Sequence, residues 1–87
     1  MIKKEEFLVR NIAGDNVMMP IGETAIKFNG LIMANDVAAF IWEQIENVET
    51  NEELAKMICE EFDVSYEVAL GDATKLVAQM KKAGWIE

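Results

Sequence analysis

Histidine is missing from this chain, and cysteine and proline occur once each. Without histidine, the commonest general base and the commonest metal ligand are both gone. The lone thiol, Cys59, cannot form an internal disulfide, which agrees with a reducing compartment. No apolar run approaches the length of about 18 residues that a membrane span needs. The opening residues, Met-Ile-Lys-Lys-Glu-Glu, are followed by no apolar stretch of the signal-peptide kind. The expectation is a cytoplasmic protein. Positive charge is scarce too: eight bases stand against sixteen acids, for a net charge of −8. A surface of that sign disfavours nucleic acid and anionic membranes as principal partners. There is no glycine-rich phosphate loop and no nucleophile elbow. An enzyme reading therefore has no residues to stand on, and neither a metal nor a cofactor is expected.

The remaining chemistry-bearing residues have ordinary structural readings. Glu60, Glu61, Asp63 and Glu67 supply oxygen, as a calcium or magnesium site would, but no loop glycine stands at the spacing of an EF-hand. A solvated helix end followed by a helix start accounts for them. Cys59 falls on the flank of an apolar helical stripe, where a small hydrophobe belongs. Met18 and Met19, adjacent on a strand, point one in and one out rather than forming a pair of soft ligands.

What is present is apolar content, 52% of 87 residues. That suffices for one globular domain over residues 1–87 with a modest core. The organising stretch is residues 28–42, where the hydrophobic period changes. Ala25 to Phe28 and Leu31 to Ala34 are apolar-rich runs around Asn29-Gly30, a dipeptide suited to a tight hairpin. Asn35 or Asp36 offers a side-chain oxygen to the first free N–H groups of a helix. From Val37 the apolar positions 37, 38, 41, 45 and 48 follow helical spacing.

Upstream, Phe7 to Ala13 and Val17 to Ile21 read as strands around the turn cluster Gly14-Asp15-Asn16. Pro20 marks an edge or a bend. The expected sheet is two hairpins sharing a bent middle strand. Downstream, three helices are expected. The first runs from about Asp36 to Glu46 and is central, because its apolar arc is wide. The second opens on Thr50 with Glu53 three residues on, a capping box. Its inner stripe is Leu54, Met57, Ile58 and Phe62. The third begins after Ser65, runs from about Tyr66 to Ala83, and ends before Gly84. Strands followed by three helices predict an α+β fold of the winged helix-turn-helix kind.

The third helix carries the pattern with some surplus. Ala69, Ala73, Leu76 and Met80 make a core line. Tyr66, Leu70 and Val77 widen the apolar surface to one side, and Asp72, Lys75 and Gln79 occupy the other. The widening is either a broad core face or one wall of a groove. A second wall is available in Leu31 to Ala34, apolar at every position. If that strand is an edge, its free N–H and C=O groups can pair with an incoming peptide.

At these residues the sequence resembles the coenzyme PQQ synthesis protein D (PqqD-like) family. The resemblance starts with Asn-Gly-Leu-Ile-Met-Ala-Asn-Asp-Val-Ala-Ala-Phe-Ile-Trp, residues 29–42. It continues through Thr50-x-x-Glu53-Leu54, Phe62-Asp63-Val64, Asp72-Ala73, Leu76 and Lys82-Ala83-Gly84-Trp85-Ile86. It covers roughly residues 6–87. It implies a winged helix-turn-helix that binds no DNA and catalyses nothing. Such proteins act as peptide chaperones, or RiPP recognition elements. They hold the leader of a ribosomally made precursor peptide as an added strand and present it to a modifying enzyme, often a radical S-adenosylmethionine protein. Position by position, the third strand is Leu31, Ile32, Met33 and Ala34, and the facing helix runs from Tyr66 to Lys81. The peptide-binding residues expected from this are those four with Tyr66, Leu70, Val77 and Lys81. Ile21 to Asn29 is extra length relative to shorter members, which leaves open a quinone-cofactor precursor or another modified peptide, the latter being the expectation. A homodimer using the open strand on itself is compatible with the same edge. The competing class is a winged-helix transcription regulator. Its recognition helix should be basic in its first half. Residues 65–72 contain no base.

Overall fold

The computed structural model describes residues 1–87. Two strands, β1 (Phe7–Ile12) and β2 (Asp15–Pro20), are followed by a four-residue helix α1 (Thr24–Lys27) and a short strand β3 (Ile32–Ala34). Three longer helices complete the chain: α2 (Asp36–Gln44), continued by a 3-10 turn at Ile45–Asn47, then α3 (Asn51–Phe62) and α4 (Tyr66–Lys82). The element order is the α+β arrangement expected. No helix is long and apolar enough to cross a membrane.

The sheet is antiparallel with order β1-β2-β3. β1 and β2 pair from Phe7↔Pro20 to Ile12↔Asp15, and the turn between them is Ala13-Gly14, both at positive φ. β3 pairs with β2 through Asn16↔Ala34, Val17↔Met33 and Met18↔Ile32. Its other side has no neighbour.

The second expected hairpin is corrected. Ala25 to Phe28 form no strand, and Asn29-Gly30 joins no strand pair. The residues between β2 and β3 instead fold over the N-terminal segment. Thr24, almost fully buried, accepts a bond from the Glu6 amide at 2.7 Å and donates to the Glu5 carboxylate at 3.0 Å. Lys27 reaches the same carboxylate at 3.1 Å. That lysine holds Glu5 below the usual glutamate range. The tie is therefore in place at neutral pH and is released only on acidification through that lowered pKa. Phe28 turns inward and packs against Phe7, with ring centroids 5.7 Å apart.

Helix boundaries follow local chemistry. Asn35, Thr50 and Ser65 each accept a bond from the amide three residues on. The Glu53 carboxylate accepts from the Glu49 amide at 3.3 Å, one residue earlier than a standard capping box would place it. Asp63, at left-handed φ, ends α3, and Gly84 at φ +80° follows the end of α4. The core draws on every layer: Phe7 and Met18 from the sheet, Ile41, Trp42 and Ile45 from α2 and its extension, and Leu54, Ala55 and Ile58 from α3. From α4 come Ala69, Ala73, Val77 and Met80. Trp85 and Ile86 fold back onto the N-terminal segment. The Trp85 carbonyl accepts from the Lys4 amide at 2.7 Å, and Ile86 bridges Lys3.

Candidate functional site

The free edge of β3 lies beside a cavity of about 360 Å³. Ile32, Met33 and Ala34 form its strand side, and Leu76, Gln79, Met80 and Ala83 of α4 form its helix side. Met18 and Ala38 also line it, as does Trp85. Nine of its eleven lining residues are hydrophobic, so an apolar side chain entering it is sheltered from water. A smaller hollow of about 220 Å³ shares Asn35, Leu76 and Gln79 with it and adds Val37, Asp72 and Lys75. The groove thus runs along α4 from an apolar end to a polar end. A larger hollow of about 520 Å³ lies elsewhere, around Met1, Ile2 and residues 46–49. It adjoins no sheet edge, and half of its lining is polar.

β3 lies at the edge because nothing follows it in the sheet, and it is short because the chain enters α2 at once. An edge strand with free N–H and C=O groups is a template for another strand. The arrangement favours an extended peptide. Its backbone can pair with β3, while alternate side chains enter the cavity against α4. No three acidic or thiol side chains converge in a way that could hold a metal ion.

The residues expected at this site divide. Ile32, Met33 and Ala34 line the groove, and Leu31, 57% exposed, stands just before β3. The expected α4 residues lie away from this cavity. Val77 is 3% exposed and belongs to the core. Leu70 packs against the core from its flank, while Tyr66 and Lys81 are exposed and line no part of the groove. Leu76, Gln79, Ala83 and Trp85, which the sequence reading did not place at the site, line the cavity instead.

The reason is angular. The buried line runs 69, 73, 77 and 80, whereas the expected line ran through Leu76. Leu76 and Val77 both fit an apolar arc that includes Ala73 and Met80. Choosing Val77 for the core rotates the helix, so that Leu76 and Gln79 face β3. The side of α4 that looked merely polar, with Asp72, Lys75 and Gln79, is the groove side. One signal was available: Ala83, two turns from Leu76, keeps that side narrow enough for a backbone to approach.

The family described as coenzyme PQQ synthesis protein D matches residues 16–86 of the chain. No curated protein matches it. Two solved structures are similar in fold. One is TbiB1 in complex with the TbiA(beta) leader peptide, 17% identical with a TM-score of 0.67. The other is lasso peptide synthetase B1 complexed with the leader peptide, 20% identical with a TM-score of 0.64. In both cases 100% of this chain and 95% of the other are covered.

Proposed function

Because the chain belongs to the coenzyme PQQ synthesis protein D family, we propose that it is a non-catalytic recognition protein for a precursor peptide. It binds the leader part as a fourth strand on β3, with alternate side chains in the groove against α4. It then presents the rest of the peptide to a modifying enzyme, in our reading a radical S-adenosylmethionine protein. The observation that carries this is the free β3 edge beside an apolar cavity of about 360 Å³. The two similar folds were each solved with a leader peptide, which supports the same use here.

The energetics are adequate. A micromolar complex needs about 8 kcal/mol net. Strand pairing supplies register, and two or three apolar anchors contribute roughly 1.5–3 kcal/mol each on burial. Part of that offsets the ordering of the peptide.

Amide chemical-shift mapping with a synthetic leader peptide tests the site. Shifts should cluster on residues 31–34, on Leu76 to Ala83 and on Trp85. A pattern centred on α3 that spares β3 would place the peptide elsewhere. The chain should also give no sequence-selective shift with duplex DNA in a low-salt mobility assay. The net charge is −8, and the first half of α4 carries Glu67 and Asp72 but no base. A nanomolar, sequence-selective complex would instead support a transcription regulator.

A further inference from the structure

The main chain of β3 points in directions that the hairpin before it fixes. β1 and β2 are joined by the two-residue turn Ala13-Gly14, so the closing pair, Ile12↔Asp15, exchanges both of its main-chain bonds. Along an antiparallel ladder such bonded pairs alternate with non-bonded ones. Arg10↔Val17 and Leu8↔Met19 are therefore bonded, whereas Asn11↔Asn16, Val9↔Met18 and Phe7↔Pro20 are not. Two observations agree. Pro20, with no N–H to give, falls in a non-bonded pair. Just past it the Ile21 amide donates to the Glu6 carbonyl at 3.1 Å, where the alternation puts the next bonded pair.

Val17 thus directs its N–H and C=O to β1. Asn16 and Met18 direct theirs to β3, where they meet Ala34 and Ile32. Met33, between those two, faces Val17 in a non-bonded pair. Its N–H and C=O therefore point away from β2, toward the open edge. Of the residues that share its parity, Leu31 precedes the strand, and Asn35 has its carbonyl engaged by the Ala39 amide at 3.0 Å. Within β3, Met33 is the residue that offers a free donor and a free acceptor together.

Side chains follow the same parity. Ile32 and Ala34 pack against the core, and Met33 lies on the opposite face of the sheet, 64% exposed. An antiparallel partner has the sense of every pair in this sheet and is the more stable per residue. Its residue bonded to Met33 projects its own side chain away from the groove. The two residues beside that one point into the apolar cavity next to Ile32 and Ala34. A free peptide suits this edge better than a second copy of the chain. The copy's Ile32 and Ala34 are packed on its own core, so its β3 has no side chain to fill the cavity.

We infer that the main chain of Met33 anchors the leader, exchanging both bonds with one leader residue whose side chain is unrestricted and whose two neighbours are apolar. The inference rests on the leader-binding reading and adds the register to it. Backbone recognition and side-chain recognition then fall on different residues of the ligand.

The probe is a decapeptide selected on the wild-type chain from a random display library, with affinities measured by calorimetry. Met33→Pro removes an N–H that the sheet does not use, so it should melt within a few degrees of wild type. It should nevertheless weaken the decapeptide about tenfold or more. Met33→Ala keeps the main chain and should bind within about threefold of wild type. Ala34→Pro removes an N–H bonded to β2 and should melt about 10 °C or more below wild type. In the decapeptide, methylating one amide nitrogen should cost about tenfold or more, while both adjacent amides tolerate it. That sensitive residue should accept alanine, and its two neighbours should not. A Met33→Pro chain that melts as low as Ala34→Pro puts the N–H inside the sheet and overturns this inference alone. So does a folded Met33→Pro chain that binds as wild type does, or a run of adjacent amides equally sensitive to methylation. A wild-type dimer in sedimentation that Met33→Pro dissociates assigns the edge to a second copy and overturns it too. If the library yields no peptide that binds, the leader-binding reading fails, and this inference with it.

Discussion

Replacing Trp42 by alanine should lower the melting temperature by roughly 15–35 °C. The indole is 1% exposed. Its Nε1–H donates to the Phe7 carbonyl at 3.2 Å, tying α2 to β1. Its ring meets Phe7 and Trp85 edge-on, at centroid distances of 5.5 and 6.0 Å. The Lys3 ammonium lies 4.6 Å from its centroid. Truncation at such a site removes the buried ring and leaves a cavity, costing about 3–5 kcal/mol. A domain of this size has about 5–10 kcal/mol in all. Each kcal/mol shifts the midpoint by about 4–8 °C. Trp42→Phe keeps most of the ring but leaves the Phe7 carbonyl without its donor, so it should cost about 1–3 kcal/mol. Circular dichroism melts of the two variants check both figures. An alanine variant melting within a few degrees of wild type would mean the ring is not a keystone of this core.

Leu76→Asp should weaken leader binding about a hundredfold or more while the fold survives. Leu76 packs against the core only in part and lines both hollows of the groove. Aspartate there removes an apolar wall and sets an unpaired carboxylate facing peptide side chains that seek an apolar site. Losing one anchor costs about 1.5–3 kcal/mol, and the buried charge adds to it. A hundredfold corresponds to about 2.8 kcal/mol. Tyr66→Ala and Lys81→Glu, on the opposite flank of α4, should leave affinity within twofold. Calorimetric titration of the three variants separates the two flanks. If Tyr66→Ala weakens binding and Leu76→Asp does not, the peptide lies on the Tyr66 side.

Local chemistry makes most of the elements legible in the sequence. Caps at Asn35, Thr50 and Ser65 act within three residues, so they need no tertiary partner to be read. Gly84 after α4 is equally local. The wide apolar arc of α2 shows in its spacing and places Trp42 in the core. The strand at residues 32–34 is legible as well, because the apolar run 31–34 leads directly into a helix cap, whereas its place at the sheet edge comes from the fold.

Two things depend on the fold. Residues 21–31 carry strand-like composition and a hairpin dipeptide, yet they wrap the N-terminal segment. The Thr24 hydroxyl finds Glu5 and Glu6 across 18 or 19 residues, a contact that no local pattern encodes. The rotation of α4 is likewise undecided by spacing. Leu76 and Val77 are adjacent, both apolar and both compatible with the same arc. Which one is buried depends on where α3 and the sheet press against the helix. Tertiary packing buries Val77, and that turns Leu76, Gln79 and Ala83 toward the open edge of β3. The sequence determined that this chain is an acidic α+β domain with an apolar strand leading into a central helix. The packing of α4 determined which of its faces makes that strand a groove.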